Sequence, residues 1–263
     1  MRFIDPHLHT DMIDDVALEN LSMAGMEAAI IPSPHMLKGS GTADTIFRLW
    51  RRFLDFEVNS AKAMGFELFV SLSIPFYGLD AKNIEECLKE LPNYLQHDRV
   101  VAVGEIGLDC GIIDEKELFK AQLKIAKEHN LPIIVHSPIR LAPQAPAVIR
   151  QIVDVINEEK FPIERVVLDH TGESTFDYRI TTGAMVGLSV CHDKMPPEIA
   201  ADYVVKNPDK RDKLILNCEL AGGELYFTVP RVIMTMRMMG LSHDEIEKVV
   251  WENPKRFFKL PLK

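Results

Sequence analysis

Val100-Val-Ala-Val-Gly-Glu-Ile-Gly-Leu-Asp109, the stretch Asp114–His129 and Pro132-Ile-Ile-Val-His136 form one continuous unit, and its reading decides the fold. The first and last pieces are short, apolar and rich in Val and Ile, which suits buried strands. Between them, Leu118, Phe119, Leu123 and Ala126 recur at helical spacing, with Lys and Glu on the opposite side. A strand, an amphipathic helix and a second strand make a βαβ unit, which builds parallel sheet. The same alternation runs outward in both directions. Further apolar runs are Arg2–His9, Glu27–Ser33, Glu67–Ile74, Arg165–Thr171, Val186–Cys191 and Lys213–Glu219. Eight strands alternating with helices in 263 residues is the arithmetic of a single-domain α/β protein, a (β/α)8 TIM barrel over residues 1–263. A doubly wound open sheet is the rival, but its glycine-rich first turn is missing.

Composition narrows the classes of function. Hydrophobic residues make up 47% and charged residues 26%, so the chain carries enough apolar matter for a packed core. The net charge of −9 gives no overall pull towards nucleic acid or anionic lipid, so stable nucleic-acid binding and membrane association are not expected. No apolar run has membrane-spanning length, and the amino terminus turns polar too early for a signal peptide. Cys87, Cys110, Cys191 and Cys218 are scattered without a C-x-x-C pair, which predicts a reducing, cytoplasmic setting.

A barrel of this kind does its chemistry where strands end and loops begin. The polar residues at those ends are His7 and His9, Glu105, His136, His170, and Asn217 with Glu219. His7 and His9 are two apart and share a strand face, so both rings can address one point. Two neutral imidazoles suit zinc, or they can simply hydrogen-bond loop backbone. Asp5, on the same face, either orients a histidine or caps buried backbone. Glu105 is a carboxylate inside an apolar strand, which calls for a cation or an ion-pair partner. No basic residue stands at another strand end to pair with it, and no lysine is there to serve as a carbamylated bridge. His136 and His170 singly read as core histidines, and Asp169 as a structural residue facing the helix layer. As a set, four histidines and two carboxylates opening into one mouth predict one or two divalent ions: zinc first, manganese or magnesium as alternatives.

With Asp5-Pro-His7-Leu-His9, Gly104-Glu105-Ile-Gly107-Leu-Asp109, Gln122, Leu131-Pro132-Ile-Ile-Val-His136-Ser137, His170 and Glu252-Asn253-Pro-Lys-Arg-Phe257 in place, the chain resembles the TatD-related metal-dependent hydrolases of the amidohydrolase-type barrels. The resemblance implies that His7 and His9 hold one metal and His136 and His170 the other, with Glu105 bridging them. It also implies an eighth-strand acid that binds the first metal and handles the water's proton. Here that acid is Glu219, within Asn217-Cys218-Glu219, where the family usually has Glu-Thr-Asp. Pro138 replaces a usual Arg, leaving Arg140 as the stand-in, and Thr171-Gly172-Glu173-Ser174 replaces Cys-Phe-Ser-Gly.

The resulting expectation is a hydrolase that activates water for attack on a phosphoester, nuclease-like substrates included, with Glu219 and Glu105 as catalytic residues. Two alternatives remain: a hydrolase of a small carbon ester, lactone or amide, and a silent metal-binding barrel. His35, Asp109, Arg140, His192 and Asn217 are candidates for touching substrate or supporting the ligands, with His35 and His192 equally readable as capped loop histidines. Arg48, Arg51 and Arg52 around Trp50 read as the solvated face of a helix sooner than as a nucleic-acid patch. Met234-Thr-Met-Arg-Met-Met239 reads as adaptable core or a subunit contact in an oligomer.

Overall fold

Strand follows helix throughout the computed structural model, which describes residues 1–36, 40–138, 142–191, 194–219 and 228–263. The strands are β1 (Phe3–Asp5), β2 (Met26–Pro32), β3 (Glu67–Leu72), β4 (Val100–Gly107), β5 (Ile133–His136), β6 (Val166–Leu168), β7 (Met185–Ser189) and β8 (Leu214–Asn217). They lie side by side in sequence order, and every neighbouring pair is parallel. The wall closes where the first and last strands meet. Glu219 N–H donates to the His7 carbonyl at 2.8 Å, and the Asp5 carboxylate accepts from the backbone N–H of both Cys218 and His7. Asp5 therefore takes the second of its two expected roles, satisfying backbone at the seam. It is fully buried, and burial pushes its carboxyl up to about 6.

The helical unit between β4 and β5 forms as its periodicity predicts. Helix Ile113–Glu128 buries Leu118, Phe119, Leu123 and Ala126, and adds Gln122, whose amide exchanges hydrogen bonds with both backbone groups of Ile74 beyond β3. Asp114 and Glu115 sit in its first turn, where the helix dipole favours negative charge. The barrel interior and the helix layer form one hydrophobic core, and Trp50 lies wholly inside it. Its indole N–H donates to the Ser73 carbonyl, while Arg48 and Arg51 face solvent beside Asp44, so this stretch is an amphipathic helix. Of the methionine run, Met236 is core, whereas Met234, Met238 and Met239 are exposed. No helix among the described residues is long and apolar enough to cross a membrane.

Candidate metal centre

Glu105 stands at the middle of the barrel mouth with its two oxygens divided between two pairs of imidazoles. Oε1 lies 3.5 Å from His7 Nε2 and 3.4 Å from His9 Nε2. Oε2 lies 3.2 Å from His136 Nδ1 and 3.3 Å from His170 Nε2. Glu219 joins from the end of β8, its Oε1 3.1 Å from His170 Nε2. Ligand atoms of His7, Glu105, His170 and Glu219 all lie within 4.8 Å of one another. Glu105 can sit this deep because the glycine beside it lets the strands close up: a Cβ on Gly107 would run into the carbonyl of His136 across the β4–β5 pair.

Each ring is turned by what holds its other nitrogen. His7 Nδ1 lies 2.8 Å from Asp169 Oδ2, and that carboxylate's other oxygen accepts from Asn217 Nδ2 at 2.8 Å and Ser189 Oγ at 3.3 Å. His170 Nδ1 lies 2.8 Å from the main-chain carbonyl of Ser137, an acceptor only. Nδ1 of His170 must then carry the proton, which leaves Nε2 as a lone pair facing the oxygens of Glu105 and Glu219. Nε2 of His170 and of His136 are buried with no hydrogen-bond partner among the described residues. Lone pairs converging on lone pairs in a buried space are repulsive unless a cation lies between them. The donor set therefore fits a divalent ion, with His7, His9 and Glu105 able to hold one and Glu105, His136, His170 and Glu219 a second.

The titration of the ligands carries the same message. Burial pushes the His7 imidazole down, but the Glu105 and Asp169 carboxylates outweigh it and lift it to about 9. Burial raises Glu105, yet the charge of His7 and the surrounding imidazoles hold it well below the usual carboxylate range. His170 falls below its usual value through burial and the charge of Lys194. In the metal-free protein a proton on His7 thus serves where a cation is wanted.

Asp169 corrects the sequence reading, which placed it in the helix layer. It is buried inside the mouth against His7, just past the end of β6, and the neighbouring His170 adopts a left-handed backbone (φ +61°). Gly187 leaves room for it, since a Cβ there would strike Asp169 Oδ1. Asn217 is inward as expected but serves Asp169, not substrate. Lys194 is a second surprise. It enters from the loop after β7, largely buried, and its ammonium pairs with Glu219 Oε1, so a strand-end search could not find it. Arg179, fully buried in helix Glu173–Arg179, donates to the Asp169 carbonyl and to Ser137 Oγ, fixing the turn that carries His170.

The other candidates divide. His35 is buried at the mouth, stacked on His136 with ring centroids 4.1 Å apart, and burial next to His136 holds it well below its usual range. Asp109 Oδ1 lies 3.6 Å from His136 Nε2, and the His136 imidazole keeps its carboxyl low. Its loop is clamped by Glu115, which accepts from the backbone N–H groups of Asp109, Cys110 and Gly111 and from the Tyr77 hydroxyl. Arg140 and His192 lie outside the described residues.

Residues 4–210 match the model of the family described as TatD related DNase. The chain belongs to the TatD-related family. It is 33% identical to an uncharacterised metal-dependent hydrolase of Methanocaldococcus jannaschii over 260 residues, covering 98% of this chain and 100% of that one. Like that relative, this TatD-related chain is an enzyme of the metal-dependent hydrolase class. Two solved structures share its fold. A TatD-like protein of Archaeoglobus fulgidus superposes with a TM-score of 0.81 at 23% identity, over 98% of this chain and 100% of that one. A phosphotriesterase homology protein of Escherichia coli, complexed with phosphate in its active site, gives 0.73 at 15% identity over 98% of each.

Proposed function

We propose that the chain hydrolyses phosphoesters with two divalent ions, His7 and His9 holding one, His136 and His170 the other, and Glu105 bridging. The observation that carries this reading is the division of the Glu105 oxygens between the two imidazole pairs. A shared carboxylate is what a paired-ion site needs, and such a site suits in-line displacement at phosphorus. Neutral imidazoles favour zinc, and the two carboxylates leave manganese or magnesium as alternatives. Divalent ions held by these residues would lower the pKa of water towards 7 and polarise the ester oxygen.

The chain's own residues do the rest. Lys194 holds Oε1 of Glu219, and Oε2 is buried with no hydrogen-bond partner among the described residues, so Oε2 is the atom that takes the water's proton. Asp169 fixes the His7 ring, and Ser137 with Arg179 fixes His170. Asp109 stands beside His136 as an alternative proton acceptor. Cys87 and Cys110 are free thiols, which suits a reducing, cytoplasmic setting.

A second reading, hydrolysis of a small carbon ester or lactone, is favoured by the apolar side chains at the mouth, Met12, Pro34, Met36 and Leu49. The discriminating experiment strips the protein of metal, reloads it with zinc, manganese or magnesium, and assays phosphodiesters, phosphomonoesters, an oligonucleotide and lactones. Phosphodiester turnover that depends on the added ion is expected. Turnover of lactones alone would replace the phosphoester reading with the second one. Tight metal binding with no turnover of any substrate would overturn both.

A further inference from the structure

The cavity above Glu105 and His136 has a volume of about 340 Å³, enough for a small ligand. Its walls are of two kinds. Glu105, His136, Glu219 and His35 form the reacting floor, while Met12, Pro34, Met36 and Leu49 form an apolar side, with Asp11 beside it. Met12 and Met36 are 40% and 46% exposed, a position that costs free energy unless something apolar covers them. Of the charged residues among the described lining, Glu105 and Glu219 belong to the metal centre, which leaves Asp11 beside the apolar side. Lys194, the cation nearest the floor among the described residues, is engaged with Glu219.

A strand of nucleic acid needs cations along its phosphates and flat aromatic faces for its bases. Among the described residues, the side of this cavity away from the metal centre offers Met12, Pro34, Met36 and Leu49, with Asp11 beside them. Methionine side chains are unbranched and polarisable, so they adapt to alkyl or aryl groups of differing shape. Asp11 repels a further phosphate but tolerates a neutral group.

Resting on the reading of the site as a hydrolytic metal centre, we propose that its substrate is a small ester with one uncharged alkyl or aryl substituent, seated on Met12, Pro34, Met36 and Leu49, with the ester bond over Glu105 and His136. Water's oxygen joins phosphorus as the P–O bond to the leaving alcohol breaks; one water proton passes to Glu219 and is then handed to the leaving oxygen, and the other stays on the phosphate product.

The test is a series of n-alkyl p-nitrophenyl phosphates, from methyl to hexyl, on the metal-loaded enzyme, alongside a single-stranded oligonucleotide. Each added methylene is expected to raise kcat/KM about three- to fourfold until the cavity is full, the worth of burying one such group. Met36→Glu and Leu49→Glu are expected to flatten the series. A flat or falling series in the unaltered enzyme, or faster cleavage of the oligonucleotide than of the hexyl diester, overturns the proposal while leaving the hydrolytic centre standing. Should no phosphoester turn over, the reading of the function fails, and a second measurement still decides the seat. Methyl resonances of Met12 and Met36, assigned through Met12→Leu and Met36→Leu, are followed as 1-hexanol is added to the metal-free protein. Shifts of both support the apolar seat, and unmoved resonances overturn it.

Discussion

The two halves of the metal centre use the same ligand type but are supported differently. In the His7–His9 half, the supporting group is an ionised carboxylate, Asp169, itself held by Asn217 and Ser189. In the His136–His170 half, His170 is held by an uncharged main-chain carbonyl, that of Ser137, with Arg179 behind it. The imidazoles also differ: Glu105 first and Asp169 second lift His7 to about 9 against burial, whereas burial and the charge of Lys194 take His170 below its usual value. An anion behind a ligand raises its basicity and its attraction for a cation. The difference teaches that the halves are unequal, with the His7 half more basic but contested by a proton and the His170 half ready-made at neutral pH.

The severest way to break that comparison is to remove what the halves share. Glu105→Gln keeps the shape but withdraws the charge from both halves. Activity is expected to fall further than the roughly 10²- to 10⁴-fold typical of losing a proton-transfer group, with metal content lost from both halves on elemental analysis. Glu219→Gln comes next. It is expected to cost about 10²- to 10⁴-fold in kcat and to weaken metal binding at His136 and His170, beside which Glu219 stands, while Glu219→Asp keeps part of the rate. A near-normal rate for Glu219→Gln would move the proton to Asp109.

Smaller effects sharpen the contrast. Asp169→Asn is expected to weaken metal binding about 10- to 100-fold, confined to the His7 half, so that zinc titration changes from two strong sites to one. Equal weakening of both would show the halves to be one coupled unit. The pH dependence separates them without mutation. Because a metal must displace the proton on His7, affinity in that half is expected to rise about tenfold per pH unit from pH 7 until about 9, while the His170 half stays level. The metal-free protein should behave in the reverse sense. His7 has a folded pKa raised above 6.5, so its contribution to stability is complete below 6.5 and is lost as pH rises through about 9. Thermal melts of stripped protein across that window would show Tm falling, and a rise would contradict the assignment.

Legibility in the sequence followed the range of the interactions involved. The strand-and-helix alternation and the candidate ligands at the strand ends are local signals, readable from stretches such as Val100–Asp109 or His7-x-His9 alone. Asp169 was misread because strict alternation holds only while the strand continues, and β6 stops at Leu168, one residue before it. Lys194 and Arg179 carry no local mark: each is an ordinary charged residue in a loop or helix until the barrel brings it to Glu219 or to the Ser137–His170 turn. The role of Asp5 was open because its partner, Cys218, lies 213 residues away.

That distance has a consequence in time. The seam joins the backbone at His7 to that at Glu219 and Asp5 to Cys218, so the residues synthesised first acquire their geometry only once the eighth strand has emerged. A nascent chain stalled before Leu214 holds His7, His9, Glu105, His136 and His170 but lacks the closure that aims the first pair. Ion capture by the His7 half would favour the closed form and so work as a latch thrown at the end of synthesis.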